Sequence, residues 1–279
     1  MNLSIDAGGT YYRARILEND TLMETLFVKS VKIGLLEWIE EILKKHHGIK
    51  NICIAYAGQV KNGVILSAPN IKIDNHDIKN YFETKYDLKL FIENDLDCAV
   101  MAEAAHFQSK EICALYVGTG LGLGVISAGR LIRGHAGMAT EIGHIPYKET
   151  PFLCGCGKSN CLELFASGSG LLKHKEHNLV ESALNLEELK KSKDVKAKNI
   201  YDDFITALLY AAGTVITLFN PEILVLGGGI VRANEDILQI ITSRIKDFAM
   251  PIALEDVKIV TTQMQDASLQ GALLLKDVR

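Results

Sequence analysis

A short apolar run over Leu3–Asp6 ends in an acid, Ala7-Gly8-Gly9-Thr10 turns the chain, and Arg13–Leu17 alternates apolar with polar residues. This pattern predicts a β-hairpin with a glycine tip and, after the Asn19-Asp20 turn, a third strand over Leu22–Lys29. Leu35, Leu36, Ile39, Ile42 and Leu43 recur at helical spacing. Lys44, Lys45, His46 and His47 suit the negative end of that helix, and Gly48 its stop. Asn51–Ala57 reads as an apolar strand ending at Gly58. Residues 63–75 read as a loop with turns at Pro69-Asn70 and Asp74-Asn75. Asp77–Tyr86 is predicted as a short helix and Leu88–Ile92 as a strand, and Glu93-Asn94-Asp95 opens a helix through Phe107.

The pattern then starts again. Ile112–Val117 is a strand leading into glycines, Gly124–Ser127 returns as a strand, and Gly129 turns into Leu131-Ile132, a weak internal echo of the opening hairpin. Residues 173–200 are polar and charged, and read as solvated helices or a loop. Phe204, Ala207, Leu208, Ala211, Ala212, Val215, Ile216 and Phe219 form one helical stripe, stopped by Asn220-Pro221. Ile223–Leu226 is a strand followed by Gly227-Gly228-Gly229. A helix over Ile237–Phe248, a strand over Val257–Val260 and a helix over Ala267–Leu275 complete the chain. Strands alternating with helices in both halves predict α/β domains with mixed sheets.

At 279 residues, the chain has room for two compact domains or one large one. Lys and Arg total 30 against 34 Asp and Glu, a net charge of −4. No basic cluster marks a nucleic-acid footprint. The longest apolar runs fall short of a membrane span, and Asp6, Arg13 and Arg15 break the character of a signal peptide. The expectation is a cytoplasmic protein with no nucleic-acid or membrane partner. Of six cysteines, Cys53, Cys98 and Cys113 sit singly among apolar residues, as buried thiols do. The other three stand at Cys154, Cys156 and Cys161, a spacing that in a reducing compartment argues for metal before disulfide.

Cys-x-Cys-x4-Cys bends back around a tetrahedral ion, with Gly155 and Gly157 freeing the backbone and Asn160 tolerating a left-handed conformation. His144 supplies the fourth ligand of a closed Cys₃His site, a structural zinc geometry with no open position for a reactive water. Two glycine turns, Asp6-x-Gly8-Gly9-Thr10 and Gly118-Thr119-Gly120-x-Gly122, follow strands, where backbone N–H groups and threonine hydroxyls can approach phosphate oxygens. Each is equally compatible with plain hairpin geometry. Neither fits the P-loop or the dinucleotide fingerprint. Together with Gly227–Gly229 they point to a nucleoside triphosphate. Asp95 is either a helix N-cap or a carboxylate general base for a hydroxyl. Asn70, Asn94, Glu141, His144 and Glu163 are polar groups suited to the hydroxyls of a small ring.

These residues carry a resemblance to the ROK-family sugar kinases, within the actin/hexokinase-like ATPase superfamily. It runs from Asp6-Ala-Gly-Gly-Thr10 to Gln270-Gly-Ala272 and is most specific at Glu141-x-Gly-His144 and at the cysteine run ending in Glu163. Glu93-Asn94-Asp95, Ser167-Gly168 and Leu226-Gly-Gly-Gly229 support it. The resemblance implies a two-domain actin/hexokinase-like (ribonuclease H-like) α/β fold closing over a cleft, with a structural zinc loop. The expected domains are 1–112 with 265–279, and 113–264.

It implies that Asp6, Gly8, Gly9 and Thr10, with Gly118, Thr119, Gly120 and Gly122, hold the phosphates of ATP and Mg²⁺. Gly227, Gly228 and Gly229 would lie near the adenosine. Asp95 would be the catalytic base for a hexose hydroxyl, most often the 6-hydroxyl. Gly58, Asn70, Asn94, Asp95, Glu141, His144 and Glu163 would bind the sugar, and His144, Cys154, Cys156 and Cys161 the zinc. It further implies a homodimer.

Departures from the family pattern are Tyr11 in place of Lys or Asn, Leu123 and Thr140 in place of glycines, and Asn160 in place of the glycine before the last cysteine. Gln59 stands where N-acetylmannosamine kinases carry arginine, which favours an unmodified hexose and glucose first. The N-acetylhexosamines and fructose are the alternatives. Regulators of the family place a DNA-binding helix-turn-helix before the first strand, where this sequence has Met1 and Asn2.

Overall fold

The computed structural model describes residues 1–68, 70–183 and 185–277. Pro69, in one of the predicted turns, lies outside the described residues. The chain divides into two compact units. The first comprises Met1–Gln108, Leu131–Ala139 and Met264–Arg279, and the second Ser109–Arg130 and Thr140–Gln263.

The first unit begins with β1 (Asn2–Ala7), β2 (Tyr11–Glu18) and β3 (Thr21–Lys29), the hairpin and third strand predicted from alternation. It continues through α1 (Leu35–Lys45), β4 (Asn51–Tyr56), β5 (Gln59–Lys61) and β6 (Val64–Ser67), then α2 (Ile78–Lys85), β7 (Lys89–Asn94) and α3 (Asp95–Phe107). The main sheet runs β3-β2-β1-β4-β7. The first three strands are antiparallel, and β4 and β7 run parallel to β1. Leu35, Trp38, Ile39 and Ile42 are the buried face of α1, three and four residues apart as a core-facing helix requires. The stretch predicted as a loop begins with β6, which pairs with β5 just before it in a hairpin. Its two-residue turn is Asn62-Gly63, both at positive φ (53° and 83°). That is the Asn-Gly signature of a type I′ turn, present in the sequence and stronger than the turn signals that mask it.

The second unit contains β8 (Ile112–Val117), β9 (Leu121–Ser127) and β10 (Arg130–Leu131), then α4 (Gly168–Asn178), α5 (Leu186–Lys191) and α6 (Val195–Phe219). After them come β11 (Ile223–Gly227), α7 (Gly229–Ala233), α8 (Asp236–Arg244) and β12 (Lys258–Thr261). Its sheet order, β10-β9-β8-β11-β12, repeats that of the first unit. Strand β8 pairs antiparallel to β9 and parallel to β11, which in turn pairs parallel to β12. The weak sequence echo is therefore a repeated topology with β1 and β8 as the central strands.

The polar stretch 173–200 resolves into α4, α5 and the first turns of α6, which starts nine residues before the apolar stripe. Asp194 caps α6 by accepting the Lys196 N–H at 2.9 Å. By length and composition α6 would suffice to cross a membrane, which the sequence reading did not expect. Most of its apolar residues, among them Ala197, Phe204, Leu208 and Ile216, are buried in the second unit, while Val195, Tyr210 and Leu218 are exposed.

The terminal helix α9 (Ala267–Leu274) packs in the first unit against α3. Ser4 on β1 donates its hydroxyl to the Leu269 carbonyl at 2.6 Å, tying the helix to the central strand. The helices approach so closely that a Cβ on Gly271 would lie 1.7 Å from the Cys98 carbonyl oxygen. Backbone cannot yield there as a flexible side chain would. Gly271→Ala is therefore expected to cost about 3 kcal/mol or more, read as a drop in the thermal midpoint. A midpoint unchanged within a degree would show that the helices separate freely.

Candidate active site and metal cluster

In α/β sheets, ligand-binding residues collect at the carboxyl ends of parallel strands, where helix N-termini and turns present unpaired N–H groups. Some of the predicted site residues of both units occupy such ends. In the first unit they follow β1 (Asp6, then Gly8–Thr10), β4 (Gly58) and β7 (Asn94, Asp95). In the second they follow β8 (Gly118–Gly120) and β11 (Gly227–Gly229).

In the first unit Asp6 lies directly across the hairpin from Arg13. Arg13 places Nη2 at 2.5 Å and Nε at 3.2 Å from Asp6 Oδ2, and Nη1 at 3.0 Å from Asp266 Oδ1. Arg15 Nη2 closes the ladder at 2.5 Å from Asp266 Oδ2. Burial raises the pKa of Asp6. The charge and hydrogen bonds of Arg13 pull it back only in part, and Asp266 adds to the rise. Neither Arg13 nor Asp266 stands out as a site residue in the sequence. The register of the hairpin supplies the signal for Arg13, because a turn at 8–11 sets residue 13 opposite residue 6. The turn itself is pinned by Gly8 N–H donating to the Tyr11 carbonyl at 3.1 Å and by the Ser30 hydroxyl donating to the Gly9 carbonyl. Gly9 has Asn70 against it: an added Cβ would meet the Asn70 Cβ at 2.5 Å. Thr10 is exposed at the tip.

The choice left open for Asp95 resolves at the start of α3. Asn94 is the cap: its Oδ1 accepts the N–H groups of Leu96 and Asp97 at 2.8 and 3.2 Å. Its Nδ2 donates to the Gly58 carbonyl at 3.0 Å, which links the ends of β7 and β4. Asp95, the first helical residue, accepts the adjacent Leu96 N–H at 3.0 Å. Its pKa is raised to about 7, first by desolvation and then by the charge of Asp6, against the lowering pull of backbone N–H groups. A carboxyl poised near neutrality suits proton abstraction. Next to it, Glu93 Oε2 accepts from Arg133 Nε at 2.6 Å, a partner from the 131–139 stretch that no sequence signal marks.

In the second unit, Gly118 N–H donates to the Gly120 carbonyl at 3.0 Å. The next layer locks the turn: Gly168 and Ser169 N–H donate to the carbonyls of Gly118 and Thr119 at 2.8 and 3.0 Å. Gly228, at φ 90°, leaves no room for a Cβ, which would come within 2.3 Å of the Val117 carbonyl oxygen. Thr119 is exposed at the tip. Gly122 lies beyond the turn, paired with Tyr116 inside β9. The Glu141–His144 motif forms one turn of 3₁₀ helix, with His144 N–H donating to the Glu141 carbonyl at 3.0 Å. Its Gly143 packs on the second glycine turn, where a Cβ would lie 2.5 Å from the Leu121 carbonyl oxygen. Thr140 stands at φ 67°. A glycine would take that conformation without the steric cost a β-branched residue bears, and nothing in the structure explains the Thr found there.

His144, Cys154, Cys156 and Cys161 bring their ligand atoms within 4.8 Å of one another. His144 Nδ1 is 3.5 Å from Cys154 Sγ, and Cys156 Sγ is 3.3 Å from Cys161 Sγ. A tetrahedral zinc with bonds of about 2.0–2.3 Å sets ligand atoms roughly 3.5–3.8 Å apart, so this donor set fits it. His144 turns Nδ1 toward the cysteines. The hairpin of the loop closes by Cys154 N–H donating to the Lys158 carbonyl at 2.8 Å and Gly157 N–H to the Cys154 carbonyl at 2.9 Å. Gly157, at φ 89°, is the left-handed residue of the loop. Asn160, expected to be left-handed, is not. Its carbonyl accepts the Tyr147 N–H at 2.7 Å, which holds the segment extended beside Pro146.

The sequence pattern of the ROK family matches residues 2–278. A glucokinase of Thermotoga maritima is 28% identical over 302 residues, covering 97% of this chain and 95% of that one. An N-acetyl-D-glucosamine kinase of Pectobacterium carotovorum is 36% identical over 200 residues, 66% of this chain and 65% of that one. Among solved structures, a ROK-family glucokinase from Streptomyces griseus in complex with glucose and AMPPNP superposes with a TM-score of 0.77 at 23% identity, covering 97% of each chain. Paired mixed sheets, glycine turns on both central strands and a Cys₃His cluster meet a full-length family match: the chain belongs to the ROK family.

Proposed function

We propose that the protein is an ATP-dependent hexose kinase that transfers the γ-phosphoryl group to a sugar hydroxyl, with glucose at its 6-hydroxyl as substrate. The observation that carries this reading is Asp95. Asn94 takes over the helix cap, and the Asp95 carboxyl is left with its pKa raised to about 7 at the carboxyl end of β7. The glucokinase and N-acetylglucosamine kinase relatives, and the AMPPNP and glucose of the Streptomyces protein, support the reading.

Phosphoryl transfer is chiefly positioning and charge stabilisation, with little covalent work for the protein. Gly8–Thr10 and Gly118–Gly120 offer backbone N–H groups and exposed threonine hydroxyls to phosphate oxygens, and Asp6 offers a carboxylate for Mg²⁺. Gly227 and Gly228 pack on Tyr116 and Val117, and Gly229, with open space beside it, leaves backbone room for the adenosine. Asp95 accepts the proton of the attacking hydroxyl. Asn70, Asn94, Glu141, His144 and Glu163 serve the other sugar hydroxyls, and Asn94 has one amide proton left for that after capping α3 and bonding Gly58. A zinc on His144 and the three cysteines fixes the loop that carries Glu141 and Glu163, and takes no chemical part.

The discriminating experiment is a coupled ADP-release assay over glucose, mannose, fructose, N-acetylglucosamine and N-acetylmannosamine. Glucose is expected to give the highest kcat/KM. A higher value for an N-acetylated hexose would reassign the substrate, and no turnover with any sugar would remove the kinase reading.

A further inference from the structure

Glu163 reaches two sites at once within the second unit. Its Oε2 accepts the Leu121 N–H at 3.0 Å, at the end of the second glycine turn. Its Oε1 lies 3.5 Å from Cys154 Sγ, in the cysteine–histidine cluster. The fit is steric as well as polar. A Cβ on Gly120 would come within 2.6 Å of Glu163 Oε2, and one on Gly143 within 3.3 Å of the Glu163 Cβ. Glycines at 120 and 143 therefore make the space this carboxylate occupies. The backbone of Glu163 is anchored too: its carbonyl accepts the Ser167 hydroxyl at 2.7 Å, and Ser167 caps α4, whose Gly168 N–H holds the Gly118 carbonyl.

We infer that Glu163 is a positioning residue for the second glycine turn, setting its phosphate-facing backbone, in addition to any contact with sugar. The inference rests on the kinase reading. A sugar-binding carboxylate needs no bond to Leu121. A turn that must keep its N–H groups aimed needs a fixed acceptor at its exit, and a Glu163 side-chain oxygen at this reach supplies it. The cluster, by holding Cys154 and Cys161, fixes the segment from which Glu163 reaches over. Loss of the metal should thus loosen nucleotide as well as sugar.

The test is the affinity for a fluorescent ATP analogue without sugar, measured with metal content and thermal midpoint for the wild type, Glu163→Ala, Glu163→Gln and Glu163→Asp. Gln keeps an oxygen at the same reach, and Asp keeps the charge but withdraws it by about 1.5 Å. The expected result is a Kd raised about tenfold in the Ala and Asp variants and within threefold of wild type in Gln, with one metal per chain throughout. Ala and Asp variants that bind nucleotide like the wild type would overturn the inference and confine Glu163 to sugar. A Gln variant as weak as Ala would overturn it as well, because charge rather than the Leu121 bond would then be at work. Should the Ala variant fail to fold, the contrast between Gln and Asp decides. Wild-type protein that binds no nucleotide at all would remove the kinase reading, and this inference with it.

Discussion

Asp95→Asn is expected to lower kcat for hexose phosphorylation by about 10²–10⁴-fold, with hexose and nucleotide affinities within a few-fold of wild type. The amide is isosteric and can still accept the Leu96 N–H, so the start of α3 keeps its geometry, capped as it is by Asn94. What it loses is the ability to take a proton. The same carboxyl sets the pH dependence. As the proposed base, Asp95 would work only when ionised, and its pKa is raised to about 7, so kcat/KM should fall on the acid side with a midpoint near 7. Arg13 is expected to move that limb. It compensates the charge of Asp6, and Asp6 is one of the groups that raise Asp95. Arg13→Gln should leave Asp6 less compensated and shift the limb to higher pH.

The stability sign follows from the same numbers. The folded chain holds the Asp95 proton up to about pH 7, whereas an ordinary aspartate releases it near 3.8. Folding then favours proton uptake across that window, and the Asp95 contribution to stability declines as pH rises through it. Asp95→Asn should accordingly melt at or above the wild-type temperature near pH 7.5, a trade of stability for function. A mutant that turns over within tenfold of wild type would take the base role from Asp95.

The second large effect concerns the metal. Purified protein is expected to carry close to one zinc per chain. Cys161→Ala should abolish it, lower the thermal midpoint by several degrees and eliminate measurable hexose binding. Apparent zinc affinities in small structural sites are worth about 10–16 kcal/mol, and in a loop with little core of its own most of that is folding free energy. Residues 146–160 have that character. Leu153 is exposed, and the loop is held by backbone pairs and by Lys158 Nζ on the His144 carbonyl at 2.8 Å. Glu141 and Glu163 flank this loop, so its collapse displaces both. Protein with no zinc by elemental analysis, or full hexose binding in Cys161→Ala, would defeat the metal assignment.

How much of this was legible in the sequence depended on whether the signal was local. Helix α1 and the apolar stripe of α6 declare themselves by period, because burial on one face leaves a 3.6-residue record. The glycine turns and the cysteine spacing are equally local. Three things were not. The start of α6 is hidden, because its first turns carry Lys196 and Lys198, and a capped polar turn resembles a loop. Arg133 reaches Glu93 from a stretch distant in sequence, and nothing at either position announces a partner. The division of labour between Asn94 and Asp95 is decided by backbone geometry at one residue, where sequence allows either to cap. Asn160 shows the reverse error. Its type permits a left-handed turn, but Gly157 already supplies one, and the loop needs only one.

Transfer of a phosphoryl group onto a hexose leaves a product that identifies itself. The most direct measurement is to incubate purified protein with ATP, Mg²⁺ and glucose and to follow both nucleotide and sugar by ³¹P and ¹³C NMR. The expected result is a phosphate monoester on the glucose 6-carbon, formed one for one with ADP. ADP appearing with no phosphorylated sugar, or neither product forming, would contradict it.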